Sequence, residues 1–405
     1  MPARFSLVVV LSVVYIDMLG IGLAFPVLPK LIEQFEGGDV SHASYVYGAL
    51  AAAYSLMQFL LAPLLGALSD RYGRRPVILL ALVGMGINYV LLAFAPTLAL
   101  FAVGRMIAGA FGATFTAAGA YLADITPPEK RAQSFGLIGA AFGFGFITGP
   151  ALGGPLSDID LRLPFLVAAC LSLADFAFAY FALPESLAPE NRKALNWRHA
   201  NPIGALRAIS RYGAVLGLIA IFVLAMFANR VAEMTWVLFT SYRFGWTGTQ
   251  TGLSLAMVGV MFIVGQGGLV RVLVPRIGER RAILLGLAVS AITCVLYGVV
   301  PQGWMVFPVM ALAIFGWTIA APAVQALMSR SVPANEQGLL QGSLASITSL
   351  TSIAGPPIWT GLFGYFVSSA APVVVPGAAF FVAALAFLVA LGLALRWFGT
   401  APTHA

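Results

Sequence analysis

Charge is what this chain has least of. Only 9% of its 405 residues are Asp, Glu, Lys or Arg, against about a quarter in an ordinary soluble domain. Long polar stretches are equally scarce: one runs from Pro184 to Arg211, and the others are short. With 60% of residues hydrophobic, a water-soluble fold would lack the polar surface to cover its core, so most of the surface must face lipid. Cys170 and Cys294 fall in separate apolar runs and read as small fillers, not as a disulfide. His42, His199 and His404 lie in loops without ligand spacing, which leaves no metal site and calls for no cofactor. The chain has no Gly-x-Ser-x-Gly elbow, no His-Glu-x-x-His and no paired Cys/His spacing. The Gly-x-Gly pieces at Gly20 and Gly143 sit inside apolar runs with no strand before them. An enzyme is therefore not expected. Residues 1–30 also lack a short apolar region ending in a small-residue cleavage site, and read as a retained first span.

What the chain does have is apolar runs. A helix of about 20 residues crosses a bilayer, and in lipid the backbone must satisfy its own hydrogen bonds. Breaks at charges, Gly and Pro predict twelve spans: 5–28, 45–68, 76–95, 98–122, 134–156, 163–183, 213–240, 250–273, 281–300, 303–327, 338–362 and 373–397. The expected fold is all-α: twelve transmembrane helices in two pseudo-symmetric six-helix bundles, residues 1–183 and 213–405, joined by a cytoplasmic loop over 184–212. With the N-terminus placed inside, sixteen of the 22 Lys and Arg fall on the cytoplasmic side. Only Lys30, Arg162 and Arg243 fall outside, and Arg105, Arg230 and Arg271 lie within spans. That asymmetry predicts two cytoplasmic termini. It also makes the net charge of +7 a matter of topology, not of nucleic-acid binding.

The densest charge is the knot Gly66-Ala-Leu-Ser-Asp-Arg-Tyr-Gly-Arg-Arg75, between the second and third spans. Gly66 is expected to let two helices approach closely, and Gly73 to take a positive φ in a tight turn. Asp70 suits a helix N-terminus or an arginine, as a charge held in one gate arrangement only. Arg71, Arg74, Arg75, Asp124 and Arg131 complete the expected cytoplasmic gate. The alternative is a charged loop that only fixes topology. An echo follows in the second half as Arg276-Ile-Gly-Glu-Arg-Arg281, but Pro275 stands where Asp70 would, so a weaker gate is expected there.

The knot resembles the loop signature of the major facilitator superfamily. Gly136, Gly145, Gly149-Pro150 and Gly153-Gly154 resemble the fifth-helix signature of its drug/proton antiporters. Gly145, Gly149 and Gly153 stand four apart, which makes a smooth packing face, and Pro150 is expected to bend the helix. Asp17-Met-Leu-Gly-Ile-Gly22, Pro26-Val-Leu-Pro29, Trp236-Val-Leu-Phe-Thr240, Arg243-Phe-Gly-Trp246 and Gln341-Gly-Ser-Leu344 look like the tetracycline/proton antiporters. The likeness spans nearly the whole chain. It implies a proton-coupled efflux antiporter of the bacterial inner membrane that moves amphipathic small molecules, tetracycline-like drugs among them. One chain supplies both halves, so a monomer suffices.

Ionisable residues inside spans are functional candidates, because an unpaired charge there is costly. Asp17, midway along the first span, is read as a proton carrier or as a helix-packing hydrogen bond. Arg105 needs an acid partner or an anionic substrate group, and the resemblance gives its position functional weight. Arg230 and Glu233 are three apart and share a helix face; they neutralise each other, or Glu233 is a second proton carrier. Asp175 is a further candidate. Gln58, Asn88, Asn229, Gln266 and Gln325 offer hydrogen bonds for a substrate cavity, and Trp236, Phe262 and Trp317 offer aromatic lining, with Phe142 and Phe144 beside them.

Three positions depart from the tetracycline pattern. Asn88 and Ser290 stand where the resemblance would place essential acids, and Phe262 replaces a pocket histidine. A cationic metal–drug chelate needs negative acceptors, so its binding is weakened. The second reading of the chain is therefore a passive facilitator or importer on the same scaffold.

Overall fold

The computed structural model describes residues 3–112, 114–192, 213–333 and 336–400. Most of the expected connection over 184–212, from residue 193 on, lies outside the described residues, as do His199 and His404. The described residues are helical, with no strand among them.

The first half runs through α1 (Ala3–Ala24), α2 (Leu28–Phe35), α3 (Val40–Tyr72), α4 (Arg74–Phe94), α5 (Leu98–Phe111), α6 (Thr114–Ile125), α7 (Arg131–Ile159) and α8 (Leu163–Ala182). The second half runs through α9 (Gly213–Phe244), α10 (Gly248–Val264), α11 (Val270–Ile277), α12 (Glu279–Val299), α13 (Val306–Arg330), α14 (Gln337–Val367) and α15 (Ala378–Thr400). Eleven segments among the described residues are long and apolar enough to cross a membrane. The remaining expected span, 338–362, coincides with the 31-residue α14, which is less apolar because Ser343, Ser346, Ser349, Ser352, Thr348 and Thr351 run through it. Their hydroxyls return to the carbonyls three or four residues back, for example Ser346 Oγ to the Gly342 oxygen at 2.9 Å, so they add polarity without breaking the helix.

Three spans are more broken than the sequence predicts. The first stops at Ala24, and Leu28–Phe35 forms a separate short helix with Pro29 at its start. The fourth is interrupted after Phe111. The eighth carries a π-helical turn over Gly265–Leu269, in the sequence Gly-Gln-Gly-Gly-Leu; glycines lower the cost of that wider turn.

The chain forms two compact units. One contains residues 1–38, 53–200 and 246–259, the other 39–52, 201–245 and 260–405. Helices α3 and α10 therefore each contribute to both. In the first unit Val9, Val13, Ile78, Leu82, Tyr121 and Ile138 are nearly inaccessible and form a core shared by α1, α4, α6 and α7. In the second, Phe239, Phe380 and Tyr297 stack edge to face or tilted at 5.0 and 5.3 Å between centroids.

Candidate functional site

The charged knot is built around one turn. Gly73 has φ +110°, the positive value its position requires, and it ends α3 and caps the start of α4. Arg74 then turns back to donate to Asp70 Oδ1 at 2.5 Å, to Asp124 Oδ2 at 3.2 Å and to Ser69 Oγ at 3.2 Å. Its side chain is only 12% exposed, so two acids from different helices meet on one shielded cation. Asp124 thus joins the network around Asp70, as expected. Arg75 donates to the Tyr180 carbonyl at 2.6 Å and lies 5.4 Å over its ring. Arg131 donates to the Ala123 carbonyl, and Arg71 lies over Tyr72.

Glu185 was missed by sequence reasoning. Its carboxylate accepts the backbone N–H of Arg74 at 2.8 Å and of Arg75 at 3.3 Å, the first amides of α4, from 111 and 110 residues away. It also accepts from its own loop at Ser186 and Leu187. A negative group at a helix N-terminus satisfies orphan donors and meets the dipole. No local pattern signals this, because the partner is tertiary. Gly66 corrects an expectation: among the described residues nothing lies within 4 Å of where its side chain would begin. The neighbouring Ser69 and Leu65 are buried instead, so the packed face of α3 lies elsewhere.

The glycine face of α7 is real. Cβ atoms on Gly145 and Gly149 would meet α1 at the Tyr15 carbonyl (2.7 Å) and the Gly22 Cα (2.6 Å), and one on Gly153 would meet the Leu23 carbonyl (2.5 Å). Pro150 Cδ packs on Gly22. Gly136 belongs to the same signature but has open space around it. At the far end of α7, Gly154 crosses Gly248 and Gly252 of α10. There Asp158 accepts the Gly248 N–H at 2.6 Å, the Thr249 N–H at 2.8 Å and the Thr249 hydroxyl at 2.7 Å, capping α10. Lys30 of α2 donates to the Trp246 carbonyl at 3.4 Å. Burial lowers the Lys30 pKa against the pull of Asp158 and Glu33, and burial raises that of Glu33.

Deeper in the same unit lie the ionisable groups. Asp17 on α1 is 5% exposed and Asp175 on α8 is 2% exposed. Each is within electrostatic reach of the other. Ser12 is the hydroxyl that faces Asp175, but its proton goes to the Val9 carbonyl at 2.8 Å, so among the described residues both oxygens of Asp175 lack a partner. Tyr89 wedges its ring against Gly20 of α1, its hydroxyl 2.9 Å from where a Cβ would sit, and that hydroxyl is also unpartnered. Asn88 is fully buried with neither amide atom bonded. Arg105 lies 4.7 Å over the Tyr54 ring. Gln58 donates to the Gly112 carbonyl at 3.1 Å.

A sequence profile described as Major Facilitator Superfamily matches residues 10–356. The chain belongs to that superfamily. Among curated relatives, the class C tetracycline resistance protein of Escherichia coli is 44% identical over 363 residues, covering 90% of this chain and 91% of the relative. The class G tetracycline resistance protein of Vibrio anguillarum is 38% identical over 98% of this chain and 99% of its own length. Among solved structures, the human organic anion transporter MFSD10 aligns with a TM-score of 0.68 at 25% identity, over 97% of this chain and 100% of that one. The nucleoside transporter NupG (D323A mutant) aligns at 0.80 and 13% identity, over 97% and 100%, which speaks to fold alone. This superfamily member is a multi-pass inner-membrane protein, and its relatives are transporters.

In the second unit, Arg230 and Glu233, three apart on α9, pair at 2.5 Å, and Arg230 also donates to Ser352 of α14 at 2.8 Å. The two charges neutralise each other here. The expected aromatic lining divides. Trp236 is 3% exposed and packs on Tyr297 at 5.4 Å, so it is a core residue and not a cavity residue in this structure. Its indole fills space between α9 and α12, which spacing alone does not reveal. Phe262 is 42% exposed, Gln266 and Gln325 are exposed, and Asn229 and Trp317 are half-buried. Ser290 is buried. The echo of the knot repeats its turn, with Gly278 at φ +80° opening α12, and pairs Glu279 with Arg330 at 2.9 Å.

Proposed function

We propose that the chain is a proton-driven efflux antiporter of amphipathic small molecules, tetracycline-like drugs included. The observation that carries the reading is the burial of Asp17 and Asp175 with, among the described residues, no cation within salt-bridge distance, inside a superfamily whose relatives here are tetracycline resistance proteins. A carboxyl so placed can exchange its proton when its surroundings open to water. Asp17 is the primary proton carrier and Asp175 its neighbour in the same step. Glu233 takes a proton when the pair with Arg230 parts. The bundles 1–183 and 213–405 rock about a midplane site, with both termini in the cytoplasm and a single chain sufficient. The knot of Asp70, Arg71, Gly73, Arg74, Arg75, Asp124 and Arg131 latches the cytoplasmic side. Gln58, Asn229, Phe262, Gln266, Trp317 and Gln325 contribute to the substrate path.

Inverted vesicles test this. Tetracycline uptake should follow an imposed pH gradient and stop when nigericin collapses it; uptake indifferent to nigericin overturns the reading. A passive facilitator is the second reading, favoured by the neutral, unbonded Asn88. It predicts equal flux with and without the gradient in proteoliposomes.

A further inference from the structure

We propose that Arg105 is an anion-recognition point, and that the molecule this transporter moves presents an anionic oxygen (a carboxylate, sulfonate or enolate) to its guanidinium. The inference rests on the reading of the chain as a small-molecule transporter and adds the charge class of the cargo.

Arg105 stands seven residues into α5, about 10 Å along the helix axis. A long side chain at that depth has the option of extending to the headgroups. Arg105 does not take it: its guanidinium carbon lies 4.7 Å over the ring of Tyr54. Tyr54 sits near the middle of the 33-residue α3, so the charge is held at mid-depth. The Tyr54 backbone is itself fixed, since its carbonyl abuts Gly109 of α5 so closely that no side chain fits between them.

The charge there is uncompensated. Among the described residues no carboxylate lies within 4.0 Å of Arg105, and it makes no hydrogen bond. Asp17 is not within ion-pair distance of it. Asn88, beside Gly104, is neutral. Arg230 makes the contrast, because Glu233 and Ser352 occupy its donors. A guanidinium cannot shed its proton, and an aromatic face offsets only part of its desolvation. Its five donors match a planar anion and are only half shielded.

Matched xanthene dyes read the charge directly: fluorescein is anionic, and rhodamine 123, of nearly the same shape with its carboxyl masked as a methyl ester, is cationic. The full chain in nanodiscs of phosphatidylcholine, followed by fluorescence polarisation at neutral pH, should bind fluorescein about tenfold or more tighter than rhodamine 123, the worth of one charge-assisted hydrogen-bonded pair. Arg105→Gln should erase that preference and Arg105→Lys retain part of it, with thermal stability measured alongside. Equal binding, rhodamine preference, binding of neither dye, or a preference untouched in Arg105→Gln overturns the proposal. Loss of fluorescein binding when a third of the lipid is phosphatidylglycerol assigns the guanidinium to headgroups and also overturns it. A chain that pumps with the pH gradient yet shows no dye preference keeps the antiport reading and loses this one.

Discussion

Glu185 occupies the space in which a side chain on Gly73 would begin, and its carboxylate receives the first two amides of α4. Two separate requirements therefore fall on Gly73, a positive φ and an empty Cα. Gly73→Ala meets neither. It should cost about 1–2 kcal/mol from backbone strain alone, read as a fall in melting temperature, with more from displacing Glu185. Glu185→Gln keeps the volume and loses the charge. It should cost about 0.5–2 kcal/mol and leave Gly73→Ala less harmful than in the parent, because the two share one site.

Asp158 makes the same kind of cap on α10, with three acceptor bonds from Gly248 and Thr249. Asp158→Ala should free those amides, and hydrogen exchange at Gly248 and Thr249 should rise about tenfold, equivalent to the 1–2 kcal/mol of a good cap. Unchanged exchange would show that the cap is redundant.

The α7 stripe separates packing glycines from idle ones. Gly149→Ala puts a methyl against Gly22 and should cost about 1–3 kcal/mol by overpacking. Gly136→Ala, with open space around it, should be neutral within about 0.5 kcal/mol. Equal melting temperatures for the two variants would contradict the crossing described above.

Asp17→Asn should reduce gradient-driven tetracycline uptake to the level of vesicles without the protein, while leaving dye binding intact. Adding Asp175→Asn should then change little, since the acids are within electrostatic reach of each other. Gradient-driven uptake that survives in Asp17→Asn removes this residue from the proton path.

Glu33 gives a pH dependence outside the spans. Burial holds its pKa above the ordinary 4.5, against the opposing pull of Lys30. A raised carboxyl contributes stability that is complete below 4.5 and is lost as pH rises through the folded value. Glu33→Gln has no such loss. Its melting temperature relative to the parent should rise between pH 4 and pH 7, and a constant difference would argue against the shift.

Much of this was legible in the chain. Apolar runs and charge asymmetry mark the helices, and the positive φ at Gly73 follows from the tight turn its sequence demands. The glycine spacing on α7 announces a crossing because the absence of side chains is itself the signal. What was not legible depends on distant parts of the chain. The amides capped by Glu185 and the partner that buries Trp236 belong to segments far off in sequence. Gly66 looked like a packing glycine because it sits in a motif, yet the motif does not say which face meets another helix. The π turn at Gly265–Leu269 was hidden because glycine permits it without requiring it.

The two inter-helix pairs are wired in opposite sense. In the knot the cation Arg74 opens its helix and the acid Asp124 closes the other; in the echo the acid Glu279 opens α12 and the cation Arg330 closes α13. They also differ in shelter, since the Arg330 side chain is 74% exposed and that of Arg74 only 12%. Dissolved ions reach an exposed pair and largely miss a shielded one. The ionic strength of the surrounding medium is then a dial connected to one half of the machine: salt slackens the Glu279–Arg330 tie while the Asp70–Arg74–Asp124 tie holds.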